Sequence, residues 1–377
     1  MPYKTLLYLL LTITISSASA QTWDKDYSLP VPSGNSSYLL CYDYSVAYGG
    51  LLCYSTMDSA SYPLISDYYI VRISNLGDTL WTKLDYFDTL GYRSEVMSIA
   101  QLSDGSYILG TCLTETTTQW YYDEGKMFYR LDSNGNKTNV IARGLDNADA
   151  EDMKVMKTDH GGYYLSYSVD SVYYTSLTST STVAQSYIER YDSNNVLLWS
   201  KEFRTAASSG ANPPYTDLYS TRLADEGVIY FTRDKKGKIN SDGSTAYEMD
   251  NAGIIPPTGS YFQIFSTSDT GAVINFIDTA EHVYKFNASG ALDHRIDLAP
   301  FLVGLQLWSG AELKKDEYIF VSNLTPNWGF CTYDKDLNFL DSIPSPFRQT
   351  LNLRYAPVSS GVADYFCALL GSNPNKP

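Results

Sequence analysis

Three short stretches of the chain read W-x-K: Trp23-Asp24-Lys25, Trp81-Thr82-Lys83 and Trp199-Ser200-Lys201. Two of them close the same longer phrase, IVRISNLGDTLWTK and IERYDSNNVLLWSK, which reads as a strand, a polar turn and a second strand. Repetition at a spacing of tens of residues restricts a chain to units stacked in a line or set around an axis. The remaining copy stands alone near the N-terminus. An isolated last strand placed there is what a ring of repeats needs to close on itself without a frayed edge.

Two further series give the period. Glycine turns followed by an aromatic-aliphatic strand occur at Gly49-Gly50-Leu51-Leu52, Asp104-Gly105-Ser106-Tyr107-Ile108-Leu109 and Gly161-Gly162-Tyr163-Tyr164-Leu165. Weaker members are Glu226-Gly227-Val228-Ile229-Tyr230, Gly271-Ala272-Val273-Ile274, Asp316-Glu317-Tyr318-Ile319-Phe320 and Ala363-Asp364-Tyr365-Phe366. Polar turns form the second series, at Ser74–Gly77, Asp132–Gly135, Asp192–Asn195, Asp250–Gly253, Asn287–Gly290 and Asp334–Leu337. Asp or Asn opening such a turn, with Gly or Asn at its left-handed position, is hairpin chemistry. Each unit therefore reads strand, Gly turn, strand, variable loop, strand, Asx turn, strand, most clearly in MSIAQL-SDGS-YILGTCL and KMFYRL-DSNGN-KTNVIA.

Period-2 patterning, β-branched and aromatic enrichment and little helical periodicity define an all-β chain. Four-stranded antiparallel units of about 51 residues, seven times over, predict a seven-bladed β-propeller. The expected blades are approximately 38–86, 94–142, 150–205, 215–258, 261–300 and 305–346. The last is 351–377 completed by the N-terminal strand at 22–29, so that 21–377 is one propeller domain.

The phrases Gln101-Leu102-Ser103-Asp104-Gly105-Ser106-Tyr107-Ile108-Leu109-Gly110 and Leu131-Asp132-Ser133-Asn134-Gly135-Asn136, followed by L-W-x-K, resemble the tandem repeats of secreted Bacteroidota-type β-propeller proteins. The resemblance is good over residues 38–205 and loose beyond. It implies an exported propeller from a family mostly of unknown activity, many of whose members carry a C-terminal sorting domain; the tail here, Gly371 to Pro377, is linker-like.

Residues 1–20 have the layout of a secretory signal peptide: Lys4, an apolar stretch from Leu6 to Ile15, and Ala18-Ser19-Ala20 before Gln21. The stretch is shorter than the roughly 20 apolar residues a spanning helix needs. The chain is therefore expected to be secreted or extracytoplasmic, in the periplasm or at the cell surface, without membrane insertion. A net charge of −15 disfavours nucleic acid as a partner, since that requires a basic face. Five cysteines, Cys41, Cys53, Cys112, Cys331 and Cys367, lack metal-type spacing; they are expected to be mostly small buried apolar groups, with Cys41–Cys53 the best-placed pair for a bridge.

In a propeller the loops between second and third strands share a face with the blade-to-blade connections. Long loops of this kind are expected at about 57–67, 114–125, 169–184 and 233–245, in blades 1–4. Trp120, Tyr121, Tyr122 and Asp123, with Tyr173 and Tyr174, set aromatic platforms beside polar groups and are the candidate ligand-binding residues, suited to a glycan or a protein. Glu95, Glu151 and Asp217 each precede a Gly turn by ten residues, on first strands, and Asp152 crowds the same mouth. Such carboxylates could hold Ca²⁺, the one metal the sequence brings into question, or act as general acid and base; they also suit plain capping of strand starts. No other cofactor is expected.

The Asx turns do not match a calcium loop, lacking its glycine position and twelfth-position Glu. His160, His282 and His294, the only histidines, are too dispersed for a metal or catalytic triad. The sequence reading is an exported, monomeric binding or scaffold module with its ligand on the loop-rich face of blades 1–4. Two alternatives stay open: a propeller-type glycoside hydrolase or lyase using the mouth carboxylates, and a purely structural surface or adhesin segment.

Overall fold

The computed structural model describes residues 36–45, 49–58, 65–84, 92–115, 123–143, 153–176, 179–204, 208–209, 218–232, 235–251, 260–277, 281–297, 307–324 and 327–344. Within them every regular element is a strand. The first sheet comprises β1 (Ser36–Ser45), β2 (Gly49–Asp58), β3 (Ile65–Ile73) and β4 (Thr79–Leu84). The second holds β5 (Tyr92–Gln101), β6 (Tyr107–Glu115), β7 (Asp123–Leu131) and β8 (Lys137–Arg143). The third holds β9 (Met153–Lys157), β10 (Tyr163–Ser176), β11 (Ser179–Tyr191) and β12 (Leu197–Arg204), with β13 (Ser208–Ser209) added beside β11. The fourth holds β14 (Tyr219–Arg222), β15 (Val228–Phe231), β16 (Lys235–Ile239) and β17 (Thr245–Asp250). The fifth holds β18 (Ser260–Ser266), β19 (Ala272–Ile277), β20 (Glu281–Phe286) and β21 (Leu292–Asp297), and the sixth β22 (Leu307–Lys314), β23 (Glu317–Leu324), β24 (Asn327–Asp334) and β25 (Phe339–Pro344).

In each sheet the four strands pair antiparallel in chain order. The first strands of successive sheets lie against one another, β1 on β5, β5 on β9, β9 on β14, β14 on β18 and β18 on β22. Sheets touching through their first strands fan out from a common line, an arrangement consistent with a β-propeller. Residues 22–29 and 351–377, expected to form a seventh blade, lie outside the described residues.

The apolar core sits between sheets. Leu102, Ile108 and Phe128 of the second pack on Met153, Val155 and Leu165 of the third. Ile229 and Phe231 of the fourth pack on Ile264, Ile274 and Phe286 of the fifth. Each such side chain contributes about 1.5–3 kcal/mol by leaving water. A second strand has a neighbouring sheet on both faces, so β15 is buried along its whole length as Val-Ile-Tyr-Phe. Fourth strands bound the fan: β17 is mostly exposed and β4 has no buried residue.

The turns follow the Asx chemistry read from the sequence. The Asp132 carboxylate accepts the Asn134 and Asn136 backbone N–H groups, and Asp192 and Asp334 repeat the pattern. The fourth sheet departs from expectation: its last turn is Asn240–Ser244, closed by Asn240 N–H to Ser244 O at 2.8 Å, while the expected turn at 250–253 begins with the final residue of β17. The strand that hid this register is Lys235-Lys236-Gly237-Lys238-Ile239, polar in sequence yet buried at both inner lysines. Gly237 is required there, because a Cβ would stand 2.4 Å from the Tyr230 hydroxyl. Cys53, Cys112 and Cys331 are buried thiols, as the sequence reading of small buried groups expects, and Cys41 stands opposite Cys53 across β1 and β2 without a bridge.

Candidate functional site

The two ends of the sheets differ in how their polar groups are used. At one end lie the Gly turns and Asx turns, and there the W-x-K phrase finds its partners in the next sheet. Trp81 Nε1 donates to Ser133 O at 3.1 Å and Trp199 Nε1 to Ser241 O at 3.0 Å. Each indole lies on the left-handed glycine of that turn: a Cβ would meet Trp81 at 2.8 Å on Gly135 and Trp199 at 2.9 Å on Gly243. Tyr247 sits in the same way on Gly290, at 2.4 Å. The lysine of the phrase adds a second tie, Lys201 Nζ to Thr245 Oγ1 at 2.7 Å.

Opposite this aromatic position the third strand carries a cation in five sheets: Arg72 faces Trp81, Arg130 Asn139, Arg190 Trp199, Lys238 Tyr247 and Lys285 His294. Most of these cations bind their own Gly turn, reach the next sheet, or do both. Arg72 donates to Gly50 O at 3.1 Å and to the Tyr107 hydroxyl of the second sheet. Arg130 pairs with Asp104 and donates to Ser193 O of the third at 2.9 Å. Lys238 pairs with Asp225; Lys285 lies 3.4 Å from Asp269 and donates to Lys335 O at 3.1 Å. Burial alone would raise the Asp104, Asp225 and Asp269 carboxyls, but hydrogen bonds from Ser106, Lys238 and Thr267, with the cations, hold all three below the ordinary range. Glu226 and Glu312 reach back, taking the Asp159 and Ser268 N–H groups at 2.6 Å each. This end spends its polar groups on joining neighbouring sheets.

The other end carries the hairpins between second and third strands and is uneven. The second strands run 10, 9, 14, 4, 6 and 8 residues from the first sheet to the sixth. At about 3.3 Å per residue, the step from β10 to β15 is roughly 30 Å of strand. The expected loop at 169–184 is therefore a continued ribbon, paired out to Tyr174 opposite Thr180 and joined by β13 at Ser181 and Thr182. Its alternating Ser, Thr, Val and Tyr residues favour pairing over loop conformation. The expected 233–245 loop contains β16 and the Asx turn, so only 232–234 separate β15 from β16.

Tyr173 and Tyr174 thus belong to the raised part of β10, opposite Ser181 and Thr180. Asp123 opens β7 beside Thr114. Trp120, Tyr121 and Tyr122 lie outside the described residues, as do Glu151, Asp152 and Asp217. Glu95 is on β5 opposite Cys112. Among the described residues no group of His, Cys, Asp or Glu is arranged to hold a metal ion.

Sequence reasoning missed Lys154. It sits on β9, in Met-Lys-Val-Met-Lys, and its Nζ donates to Ser220 O of β14 at 3.0 Å and Ile264 O of β18 at 3.3 Å. Burial lowers its amine to about 8. The available signal was a lysine between apolar residues on a first strand.

No family model matches the chain, and no curated protein matches it by sequence. Among solved structures it is similar to a protein of unknown function from Bacteroides caccae, at 12% identity over 74% of this chain and 90% of that one, with a TM-score of 0.44. A protein of unknown function from Dyadobacter fermentans matches at 10% identity over 76% and 90%, TM-score 0.46. The apo prolyl oligopeptidase B of Galerina marginata matches at 9% identity over 84% of this chain and 45% of its own, TM-score 0.49.

Proposed function

We propose that this chain is an exported seven-bladed β-propeller that acts as a binding or scaffold module, holding a glycan or protein partner on the uneven end of its first three blades, the fourth having the shortest second strand. The observation that carries the reading is the contrast between the two ends. One is consumed by turn-to-turn hydrogen bonds between sheets, and the other raises the β10–β11 ribbon far above its neighbours. A rigid frame with one sector of tall segments is the usual way a propeller presents a binding surface. Trp120, Tyr121, Tyr122, Tyr173 and Tyr174 supply the aromatic area that sugar rings and peptide side chains stack against. Seven blades require residues 22–29 and 351–377 to form the last one, with Trp23 filling the place Trp81 fills in the first.

The test is a glycan and peptide array probed with residues 21–377, with and without Ca²⁺, alongside Trp120→Ala, Tyr173→Ser/Tyr174→Ser and Glu151→Gln. Saturable binding that survives Glu151→Gln and is lost in the aromatic variants is the expected result. Loss only in Glu151→Gln, or only on chelation, would overturn the assignment and move the site to the mouth carboxylates. Absence of any binding would leave a structural segment.

A further inference from the structure

We infer that the first strands of the second, third and fourth sheets form a binding site for a small carboxylate-bearing ligand, anchored on the Lys154 ammonium. The side chain starts on β9 of the third sheet and ends on carbonyls of β14 and β18 in the fourth and fifth. A reach across two neighbouring sheets places the ammonium on the inner side of the first strands, where they converge. Lys154 is half-buried there.

An ammonium has three N–H donors, and the two carbonyls take two of them. Among the described residues no carboxylate pairs with Lys154, and burial is the sole influence on its amine. The buried third-strand lysines meet other groups: Lys238 pairs with Asp225, Lys285 lies beside Asp269, Lys236 lies over the Phe286 ring at 4.4 Å, and Lys126 donates to Ser168 O. A cation with little water around it and no counter-charge is unfavourable, and a bound anion relieves that.

Two hydroxyls lie on the adjoining first strands. Ser220, whose carbonyl receives the ammonium, is buried with its Oγ lacking a hydrogen-bond partner. Ser98 on β5 accepts the Val155 N–H at 2.9 Å, which leaves its own O–H to donate. One positive charge and two hydroxyl donors match a monoanionic carboxylate; a phosphate dianion would ask for more donors and a second cation.

The experiment uses the protein carrying ¹³C,¹⁵N-labelled lysine and follows the side-chain signals by NMR during titration with sodium acetate, against sodium chloride at equal ionic strength. The Lys154 signal is identified by its loss in Lys154→Met and, should that variant fail to fold, in Lys154→Arg. The expected result is a saturable shift of this one signal with acetate and none with chloride, with affinity about tenfold weaker in Ser220→Ala. Lys154→Arg should retain stabilisation by acetate, since it keeps the charge. No saturable acetate shift in the unaltered protein, or the same shift in chloride, would overturn the site, as would a response spread evenly over all lysines.

Discussion

Gly105, Gly135 and Gly243 share a left-handed backbone, with φ of 78°, 77° and 89°, yet alanine should not cost the same at each. A Cβ on Gly105 meets nothing within 4 Å, so only the backbone penalty of about 1–2 kcal/mol applies. On Gly243 the Cβ would press 2.9 Å from the Trp199 ring, adding an overpacking cost of about 1–3 kcal/mol. Urea unfolding should rank Gly243→Ala clearly below Gly105→Ala; equal losses would mean the indole yields freely. At Lys154 the prediction concerns pH. Its amine titrates near 8 in the folded chain against 10.5 ordinarily, so folding disfavours the charged form. That penalty is complete below pH 8 and fades as pH rises through 8 towards 10.5. The unaltered protein should therefore gain stability relative to Lys154→Met across this window, and a constant difference between the two melts would contradict it.

Between elements, the join from β8 to the third sheet runs through one buried carboxylate. Glu189 accepts from Arg143 at 3.2 Å, Tyr167 at 3.1 Å and Tyr191 at 2.7 Å. Removing one partner of such a buried cluster costs about 3–5 kcal/mol, because the others lose their acceptor together. Glu189→Ala should fall in that range by denaturant melts, and Arg143→Met made in its background should cost much less than alone. The turn-end acids predict a separate acid response. The Asp104, Asp225 and Asp269 carboxyls lie below 3.8, so their contribution is whole above that pH and is lost as pH falls through their lowered values. Asp104→Asn, Asp225→Asn and Asp269→Asn together should flatten the acid limb of the stability profile; an unchanged limb would place acid lability elsewhere.

For the whole molecule, ring closure is the quantity to test. If residues 22–29 supply the outer strand of the last blade, deleting 21–29 opens an edge, and calorimetry should show a lower, broader transition. Trp23→Ala should reproduce part of the effect, since Trp81 and Trp199 each join their sheet to the next. An unaltered transition in the deletion would remove that strand from the ring. Much of this architecture was legible in the chain because strand period, Gly turns and Asx turns are local demands. The misplaced turn of the fourth sheet marks the limit. Lys236 and Lys238 look like surface residues until a Phe286 ring from the next sheet and Asp225 from a neighbouring turn are brought to them.

By itself the sequence determined the repeating unit, its all-β character and the chemistry of nearly every turn, since each depends on residues a few positions apart. Only the tertiary structure decided what the repeated residues are for. Trp81 meets Ser133 across 52 positions and Lys154 meets Ile264 across 110, contacts set by the angle between successive sheets. No local pattern encodes that angle, because it arises from how the apolar faces of neighbouring sheets pack.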